Sequence, residues 1–386
     1  MPERGTDVVV VGAGIIGAAC ALYAARAGLS VTVLDRGSVG AGTTSRCEGN
    51  ILVSDKGAGP ELDLALASRS LWLELAAEYG ADRFELEEKG GLVVATGEAG
   101  MASLRRFAVG QGAAGVTAEP VTPDGLRAHE PNLASGLPGG VYYPQDLQVQ
   151  PVLAAASLLA AARDLGARVV TGTEVTGAAR GADGRLTAVH TRDATYPAGA
   201  VVNAAGTWGG DVGERLGGSV PVLPRRGFIL VTEPLPRVIR HKVYSADYVE
   251  NVASDDAGLE TSAVIEGTRG GTVLIGASRE RVGFDETLSV EVLRRLAAQA
   301  IRLFPFLADV RLMRSYRGFR PYCPDHLPVV GHDRRVQGLL HACGHEGAGI
   351  GLAPATGRLI ADLLTGAHPL VDPGPFDPMR FAMEDV

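Results

Sequence analysis

A glycine-rich turn near the start of the chain constrains the fold more than any other feature of its 386 residues. The run Val8–Val11 is uncharged and β-branched, as in a strand buried in a parallel sheet, and three glycines follow it in Gly-x-Gly-x-x-Gly spacing. Gly12 permits a tight turn, Gly14 lets the backbone approach a pyrophosphate, and Gly17 lets the following helix pack closely on the strand. The pattern therefore predicts a strand, a phosphate-binding loop and a helix whose N-terminus attracts an anion.

The residues after this loop complete a strand, helix, strand unit. A small-residue helix is expected over Ala18–Ala27, and a second strand over Val31–Leu34 leads into Asp35. Asp35 lies close to the position, about 20 residues past the glycines, at which an acid binds the ribose of an adenine dinucleotide. The unit predicts a Rossmann-like dinucleotide-binding domain but does not distinguish NAD from FAD.

The apolar run Val8–Ala25 is also long enough to imitate a membrane span or a signal peptide. A membrane span does not need glycines at this spacing, and a signal peptide would need a basic start and a small-residue cleavage site. Here the sequence MPERGT leads straight into the strand. We therefore expect no integral membrane segment.

Composition narrows the remaining classes. A chain of this length exceeds the usual size of one hydrophobic core, so two domains are expected. The net charge of −8 argues against nucleic-acid binding, which needs a basic face. The four cysteines form no C-x-x-C pair and have no histidine partner at zinc spacing. This usage predicts a reduced, cytoplasmic protein without structural metal.

The loop Gly40–Asn50, GAGTTSRCEGN, is crowded with glycine and hydroxyl groups. It is either a plain surface loop or a cofactor loop, because a loop that leaves the second strand of such a unit returns over the nucleotide. Its candidates for binding phosphate and ribityl oxygens are Thr43, Thr44, Ser45 and Arg46.

A second glycine-rich loop, Gly344–Ile350 with sequence GHEGAGI, precedes a helix expected to run to Leu364. It presents backbone amides and a positive helix end for a second time, far along the chain from the first. NAD needs one such site, whereas a flavin whose reduced ring carries negative charge benefits from two. The pair of loops favours FAD.

Strands and helices of mixed spacing lie between the two glycine loops. An irregular, acidic segment over Tyr244–Ile265 is either a lid over a pocket or a surface excursion. The other expected elements are a helix over Leu62–Tyr79, a strand pair about Gly90 and Gly91 over Leu86–Thr96, a short helix over Ser103–Val109, a helix over Pro151–Leu165, a hairpin turn at Asp183 and Gly184, strands over Pro221–Leu230 and Thr272–Ile275, and a helix from the cap Ser289 to Leu303.

Five motifs together resemble the D-amino acid oxidase-like family of FAD-dependent amine oxidoreductases. They are GAGIIG with Asp35, TTSRCEGN, VVNAAGTW, RGFRPYCPDHLPVVG and GHEGAGIGLAP. The resemblance spans nearly the whole chain and is nearest to glycine oxidase and to the FAD subunits of sarcosine oxidase, hydroxyproline dehydrogenase, opine oxidase and hydrogen cyanide synthase. It implies an α/β fold in which a Rossmann-like FAD-binding domain of glutathione-reductase type is built from residues 1–83, 150–215 and 318–386. Residues 84–149 and 216–317 would form an antiparallel-sheet α+β substrate domain.

The resemblance also implies roles for individual residues. Arg320 matches the arginine that holds the substrate carboxylate, and Tyr248 corresponds to a substrate-facing tyrosine of the lid. FAD is expected to be non-covalent, because Gly318 occupies the position of the flavin-linked cysteine. The implied cofactor-binding residues are Gly12, Gly14, Ile15, Ile16, Gly17, Asp35, Arg36, Thr43, Thr44, Ser45, Arg46, Glu48, Gly49, Asn50, Val175, Ala205, Gly206, Trp208, Gly344, His345, Glu346, Gly347, Ala348, Gly349 and Ile350.

The implied activity is oxidation of the C–N bond of a small amino acid by hydride transfer to flavin N5, without a general base. Glycine, a D-amino acid, or an N-alkyl or cyclic amino acid such as D-proline or hydroxyproline is the expected substrate. Oxygen, a quinone or a partner subunit would accept the electrons, since none of Lys56, Lys89 and Lys242 lies in a motif that matches the oxygen-activating lysine of relatives. The alternatives are an FAD subunit active only in a hetero-oligomer, a flavin monooxygenase and, least favoured, an NAD dehydrogenase; a homo-oligomer is also possible.

Overall fold

Two eight-stranded sheets organise the chain in the computed structural model, which describes residues 5–252 and 254–381. The strands are β1 Thr6–Val11, β2 Val31–Leu34, β3 Asn50–Ile51, β4 Gly91–Ala95, β5 Glu119–Val121, β6 Gly139–Tyr143, β7 Leu147–Gln148, β8 Arg168–Val170, β9 Val175–Arg180, β10 Leu186–Thr191, β11 Thr195–Asn203, β12 Leu223–Thr232, β13 Lys242–Ser245, β14 Glu260–Gly267, β15 Val273–Arg279, β16 Leu312–Tyr322, β17 Val329–His332 and β18 Leu339–Cys343. The helices are α1 Ile15–Arg26, α2 Pro60–Tyr79, α3 Glu98–Ala113, α4 Pro123–His129, α5 Pro151–Asp164, α6 Gly209–Arg215, α7 Asp247–Val252, α8 Val290–Leu303 and α9 Gly349–Thr365.

The first sheet has the strand order β17-β18-β11-β1-β2-β8, and the hairpin β9–β10 extends from β11. The strands from β18 to β8 pair in parallel, and β17 is antiparallel to β18. Helix α1 is buried from Ile15 to Ala25, because its small residues let α5 and α9 pack against it. This is the Rossmann-like arrangement that the glycine spacing predicts.

The second sheet has the order β16-β12-β15-β14-β13-β4-β6-β5 and is antiparallel except where β13 meets β4. Helix α8 covers it with a buried stripe of Val292, Leu296 and Ala300. The Ser289 hydroxyl accepts a hydrogen bond from the Val292 amide, as the cap prediction requires. Together the parallel and antiparallel sheets confirm the predicted α/β fold class with a second α+β layer.

The predicted strand pair over Leu86–Thr96 is wrong. Only β4 forms there, and Glu87 instead makes an isolated bridge with Gln148. The turn at Gly90, with φ +71°, changes the chain direction before β4, which pairs with β6 and β13 from elsewhere in the chain. Long-range pairing therefore replaces the local hairpin.

The description of Tyr244–Ile265 as irregular is also wrong. Tyr244 lies fully buried in β13, and β14 begins at Glu260. Helix α7, which carries Tyr248, and a polar connection join the two strands. The polar residues of this connection made the whole segment look irregular in the sequence, although Val264 and Ile265 are core residues.

Where the helix ends differ from the predictions, the observed helix is mostly the longer one. Helix α3 runs over Glu98–Ala113, whereas the prediction was Ser103–Val109. The hairpin turn at Asp183 and Gly184 is confirmed between β9 and β10.

The first sheet draws its strands from residues 6–34, 168–203 and 329–343, and the second from 91–143 and 223–322. The division into a FAD-binding and a substrate domain stays a prediction. Across the described residues we find no helix of the length and apolarity that crossing a membrane requires.

Candidate functional site

A deep cavity is lined by residues of both large sheets, with an empty volume of about 1770 Å³ that includes its open mouth. The cavity extends from the ends of β1 and β2 to β12 and β16. One cavity therefore joins the first glycine loop to the strand that carries Arg320.

The first glycine loop forms one wall of this cavity. Gly12 has φ +115° and lies so close to the Ala204 carbonyl that a side chain would clash with it. Helix α1 begins without a side-chain cap, and the Ile15 amide donates to Thr44 Oγ1 at 3.1 Å. The amides of Ile16 and Gly17 have no backbone acceptor in the described part of the chain. These free donors and the positive helix end fit a pyrophosphate.

Asp35 lines the cavity and holds the loop at the same time. Its Oδ2 accepts the Ala13 amide and its Oδ1 accepts the Gly37 amide, both at 2.7 Å. Each carboxylate oxygen keeps a further acceptor site, which is what ribose binding needs. Val175 also lines the cavity, but its carbonyl already accepts Arg215 Nη1 at 3.1 Å.

The TTSR loop ties the cavity wall to the second sheet. Thr43 Oγ1 donates to the Phe319 carbonyl at 2.8 Å, and Thr207 Oγ1 donates to the same carbonyl at 2.6 Å. Thr43, Thr44 and Arg46 line the cavity. Ser45 is exposed, and its hydroxyl donates to carbonyls of its own turn.

The second glycine loop lines the cavity with His345, Glu346, Gly347, Gly349 and Ile350. Helix α9 begins without a side-chain cap, and the Gly349 and Ile350 amides have no backbone acceptor among the described residues. Burial lowers the pKa of His345 to about 3, so its imidazole is neutral at pH 7. A second uncapped helix end therefore faces the cavity, as the sequence predicts.

A buried charge cluster behind the cavity wall is absent from the sequence predictions. Lys242 Nζ lies 3.0 Å from Glu266 Oε2 and 3.8 Å from Glu48 Oε1. Glu48 and Asn50 line the cavity, and Glu48 Oε1 and Asn50 Oδ1 are buried without a hydrogen-bond partner. Burial raises the pKa of Glu48, while the Lys242 ammonium opposes that change. Strand alternation gives no sign that Glu48 lies near Lys242, because the two residues are far apart in the chain.

Arg320 and Tyr248 lie together in the cavity wall. Arg320 Nη1 donates to the Ser278 carbonyl at 2.8 Å, and the described residues supply no acceptor for the rest of its guanidinium. Tyr248 is 7% exposed and contacts the edge of Tyr244, with 5.2 Å between ring centroids. Burial raises the pKa of the Tyr248 phenol, so the hydroxyl keeps its proton at pH 7.

The structure brings most of the predicted site residues to this one cavity. The predicted residues that do not line it are Gly17, Ser45, Gly49, Gly344 and Ala348. Gly17 and Gly49 instead allow close backbone contacts, with Gly12 and Val149 respectively. Lining residues that the sequence predictions missed include Cys47, Thr173, Glu174, Gly227 and Phe319. Cys47 and Phe319 could have been found, since they lie inside the TTSRCEGN and RGFRPYCPDHLPVVG motifs.

Two uncapped helix ends, a loop that admits only glycine at residue 12 and orphaned oxygens on Glu48 and Asn50 are suited to a flavin dinucleotide. The residues that would hold its pyrophosphate are those of the first glycine loop. The α9 end would face the electron-accepting ring, whose reduced form is negatively charged.

Comparison with known proteins gives a consistent result. The family described as "FAD dependent oxidoreductase" (DAO) matches residues 7–363. Glycine oxidase of Geobacillus kaustophilus (strain HTA426) is 32% identical over 382 residues, which cover 97% of each chain. Hydrogen cyanide synthase subunit HcnC of Pseudomonas aeruginosa (strain PAO1) is 29% identical over 424 residues, covering 99% of this chain and 98% of HcnC.

Solved structures agree. The crystal structure of glycine oxidase from Geobacillus kaustophilus superposes with a TM-score of 0.88 at 30% identity, covering 98% of this chain and 99% of that one. L-proline dehydrogenase from P. horikoshii superposes with a TM-score of 0.89 at 25% identity over the full length of both chains. The fold and site thus define a flavin-dependent oxidoreductase. The chain belongs to the DAO family of FAD-dependent oxidoreductases, and its cofactor is FAD.

Proposed function

We propose that this FAD-dependent amino acid oxidoreductase oxidises the C–N bond of a small amino acid. The observation that carries the proposal is Arg320, whose guanidinium lies in the cavity wall beside Tyr248 with most of its donors unused. A planar guanidinium binds a carboxylate through two parallel hydrogen bonds and thereby fixes the adjacent α-carbon. The relatives named glycine oxidase and L-proline dehydrogenase support an amino acid as substrate.

The side chains around the cavity position the substrate rather than exchange protons with it. His345 is neutral, and its Nε2 pairs with Thr356 Oγ1 at 3.0 Å. Tyr248 supplies an aromatic wall, and burial raises the pKa of the Cys47 thiol, which stays protonated. Bound FAD would supply the acceptor for the hydride that leaves the α-carbon of an unprotonated amine. The resulting imine hydrolyses in water. Because no side chain exchanges protons with the substrate, fixed geometry supplies much of the rate.

A second candidate is an FAD subunit that is active only with partner subunits. The relative named hydrogen cyanide synthase subunit HcnC, which matches this chain over almost its entire length, favours it. In that case the substrate would reduce the flavin in this cavity only within a complex.

Anaerobic bleaching of the purified holoenzyme tests the proposal. Glycine, sarcosine, D-alanine, D-proline and the hydroxyproline isomers are added separately, and the flavin absorbance is followed. We expect bleaching by at least one of them, and the rate of recolouring in air separates an oxidase from a dehydrogenase. Bleaching only after addition of a partner subunit would favour the second candidate, and oxidation of NADPH instead would contradict both.

The substitution Arg320→Leu tests the site. We expect kcat/KM for the bleaching amino acid to fall by the equivalent of about 3–5 kcal/mol, the cost of leaving one partner of a buried ion pair alone. Arg295→Leu is the matched control, because Arg295 is an exposed residue of α8 paired with Glu291. Unchanged kcat/KM in Arg320→Leu would remove this arginine from the substrate site.

A further inference from the structure

A second arginine lies against Tyr248, a residue of the cavity wall, and forms no ion pair with a described carboxylate. Arg279, the last residue of β15, is 4% exposed. Its guanidinium carbon lies 5.1 Å from the centroid of the Tyr248 ring. Its neighbour Ser278 supplies the carbonyl that accepts Arg320. In the described part of the chain, no hydrogen bond or ion pair is made by the Arg279 side chain.

The surrounding carboxylates do not compensate this charge, because they are already engaged. Glu346 binds Arg225 Nη1 at 2.6 Å and His326 Nδ1 at 3.0 Å. Glu260, the strand partner of Arg279, accepts Arg225 Nη2 at 3.3 Å. The charge of Glu346 does reach Arg279, yet burial still lowers the pKa of Arg279, and the neighbouring charge of Arg320 lowers it further.

An unpaired, desolvated guanidinium is costly, and natural proteins compensate such groups with an anion. The neighbouring arginines of the same sheet show the usual solution. Arg225 pairs with Glu260 and Glu346, and Arg226 pairs with Glu280 and Asp285. Arg279 and Arg320 form no ion pair with a described carboxylate. Arg320 and Tyr248 line the cavity, and Arg279 lies against the Tyr248 ring. Two positive groups thus lie next to Tyr248, at the end of the cavity where the substrate is expected.

We propose that Arg279 binds a second carboxylate, so that the substrate is an amino dicarboxylate held between Arg320 and Arg279. The inference rests on the proposed function and specifies its substrate class. One carboxylate fixes the α-carbon at Arg320, and the other compensates the buried charge of Arg279. The amine lies between two anchors, and two charge-assisted contacts restrict its rotation.

Two kinds of molecule carry this chemistry. In one the second carboxylate branches from the nitrogen, as in iminodiacetate. In the other it ends the side chain, as in aspartate or glutamate. Anaerobic bleaching with iminodiacetate and with both enantiomers of aspartate and glutamate separates the two sources.

Binding of unreactive analogues tests the proposal independently of turnover. Thiodiacetate carries two carboxylates around a sulfur atom, and methylthioacetate lacks the second one. Each is titrated into the holoenzyme, and the dissociation constant is taken from the change in flavin absorbance. We expect thiodiacetate to bind at least about tenfold more tightly, the effect of one charged hydrogen bond. Arg279→Met should abolish this preference while changing methylthioacetate binding less than about twofold, which corresponds to roughly 0.4 kcal/mol.

The controls keep the proposal falsifiable. Arg320→Met should weaken both analogues, and Arg295→Met should weaken neither. If Arg279→Met does not retain FAD, Arg279→Lys is used instead. This variant keeps the charge but not the planar guanidinium, and should lower the preference for thiodiacetate only partly. Equal binding of the analogues by the unmodified enzyme, or equal loss of both in Arg279→Met, would overturn the proposal.

The outcomes separate this inference from the function on which it rests. Bleaching by monocarboxylates together with no preference for thiodiacetate would retain amino acid oxidation and reject the dicarboxylate. An Arg279-dependent preference with no bleaching by any amino acid would retain the dicarboxylate site and reject the oxidation.

Discussion

At the scale of single residues, Glu346 connects the second glycine loop with Arg225 of the second sheet. It lines the cavity, and its carboxylate binds Arg225 on one oxygen and His326 on the other. The second ring nitrogen of His326 contacts Asp255 at 3.1 Å. This imidazole therefore lies between two acids, and its hydrogen bond to Glu346 raises its pKa.

The raised pKa predicts how stability depends on pH at this position. The folded protein favours charged His326, so its contribution is complete below the unfolded pKa of about 6.5. The contribution is lost as pH rises through the folded pKa, which lies higher. We expect the difference in unfolding free energy between the wild-type protein and His326→Gln to shrink from pH 6 to 8.5. Guanidinium titrations at several pH values measure it, with exposed His368→Gln as control. A difference that does not vary with pH would contradict the assignment.

At the scale of elements, the packing of α9 on α1 sets the two cofactor-facing helix ends relative to each other. The helices meet where Gly357 faces the Ala19 backbone, and a Cβ at residue 357 would lie 2.5 Å from the Ala19 carbonyl carbon. Side chains larger than hydrogen would separate the helices. The glycine is therefore needed for the helix–helix distance.

Gly357→Ala is expected to destabilise the protein by about 1–3 kcal/mol, because overpacking outweighs the gain in helix propensity. Gly110→Ala is the matched control, since Gly110 is exposed on α3 with no heavy atom within 4 Å of the added carbon. The control should gain up to about 1 kcal/mol. Chemical denaturation measures both variants, and a Gly357→Ala protein as stable as wild type would show that α1 and α9 can separate without cost.

Local chemistry explains which elements the sequence could predict. The glycine spacing of the first loop, the Ser289 cap and the turn at Gly184 are all recognisable within a few residues. The strand partners of β4 and the position of β14 depend on residues far along the chain, and the local pattern does not contain them. Charges such as Arg279 and Lys242 stand in ordinary strand patterns. Their neighbours lie on other strands, so their importance emerges only from the three-dimensional arrangement.

At the scale of the whole molecule, the cavity lies where the two large sheets meet, and a ligand that fills it contacts both. A ligand that binds only the folded state stabilises it in proportion to the logarithm of its concentration. FAD should therefore act on the stability of the entire chain rather than on one part of it.

Removal of FAD is expected to lower the denaturation midpoint, and added FAD should restore it. At a concentration 100 times its dissociation constant, FAD contributes about 2.7 kcal/mol. Denaturant titrations of the apoprotein over a series of FAD concentrations measure the effect, and NAD at the same concentrations is the control. A midpoint that is insensitive to FAD, or that responds equally to NAD, would contradict the assignment of the cavity.

Strand β16 has a consequence for how enzymes with this architecture can diverge. The Phe319 carbonyl accepts the hydroxyl groups of Thr43 and Thr207, and the next residue in the chain is Arg320. The peptide unit between Phe319 and Arg320 therefore fixes the position of Arg320 relative to the TTSR loop. Inserting or deleting one residue in this strand would turn every following side chain to the opposite face of the sheet. We therefore expect lineages that keep this site to change their substrate by replacing side chains rather than by changing the length of this strand.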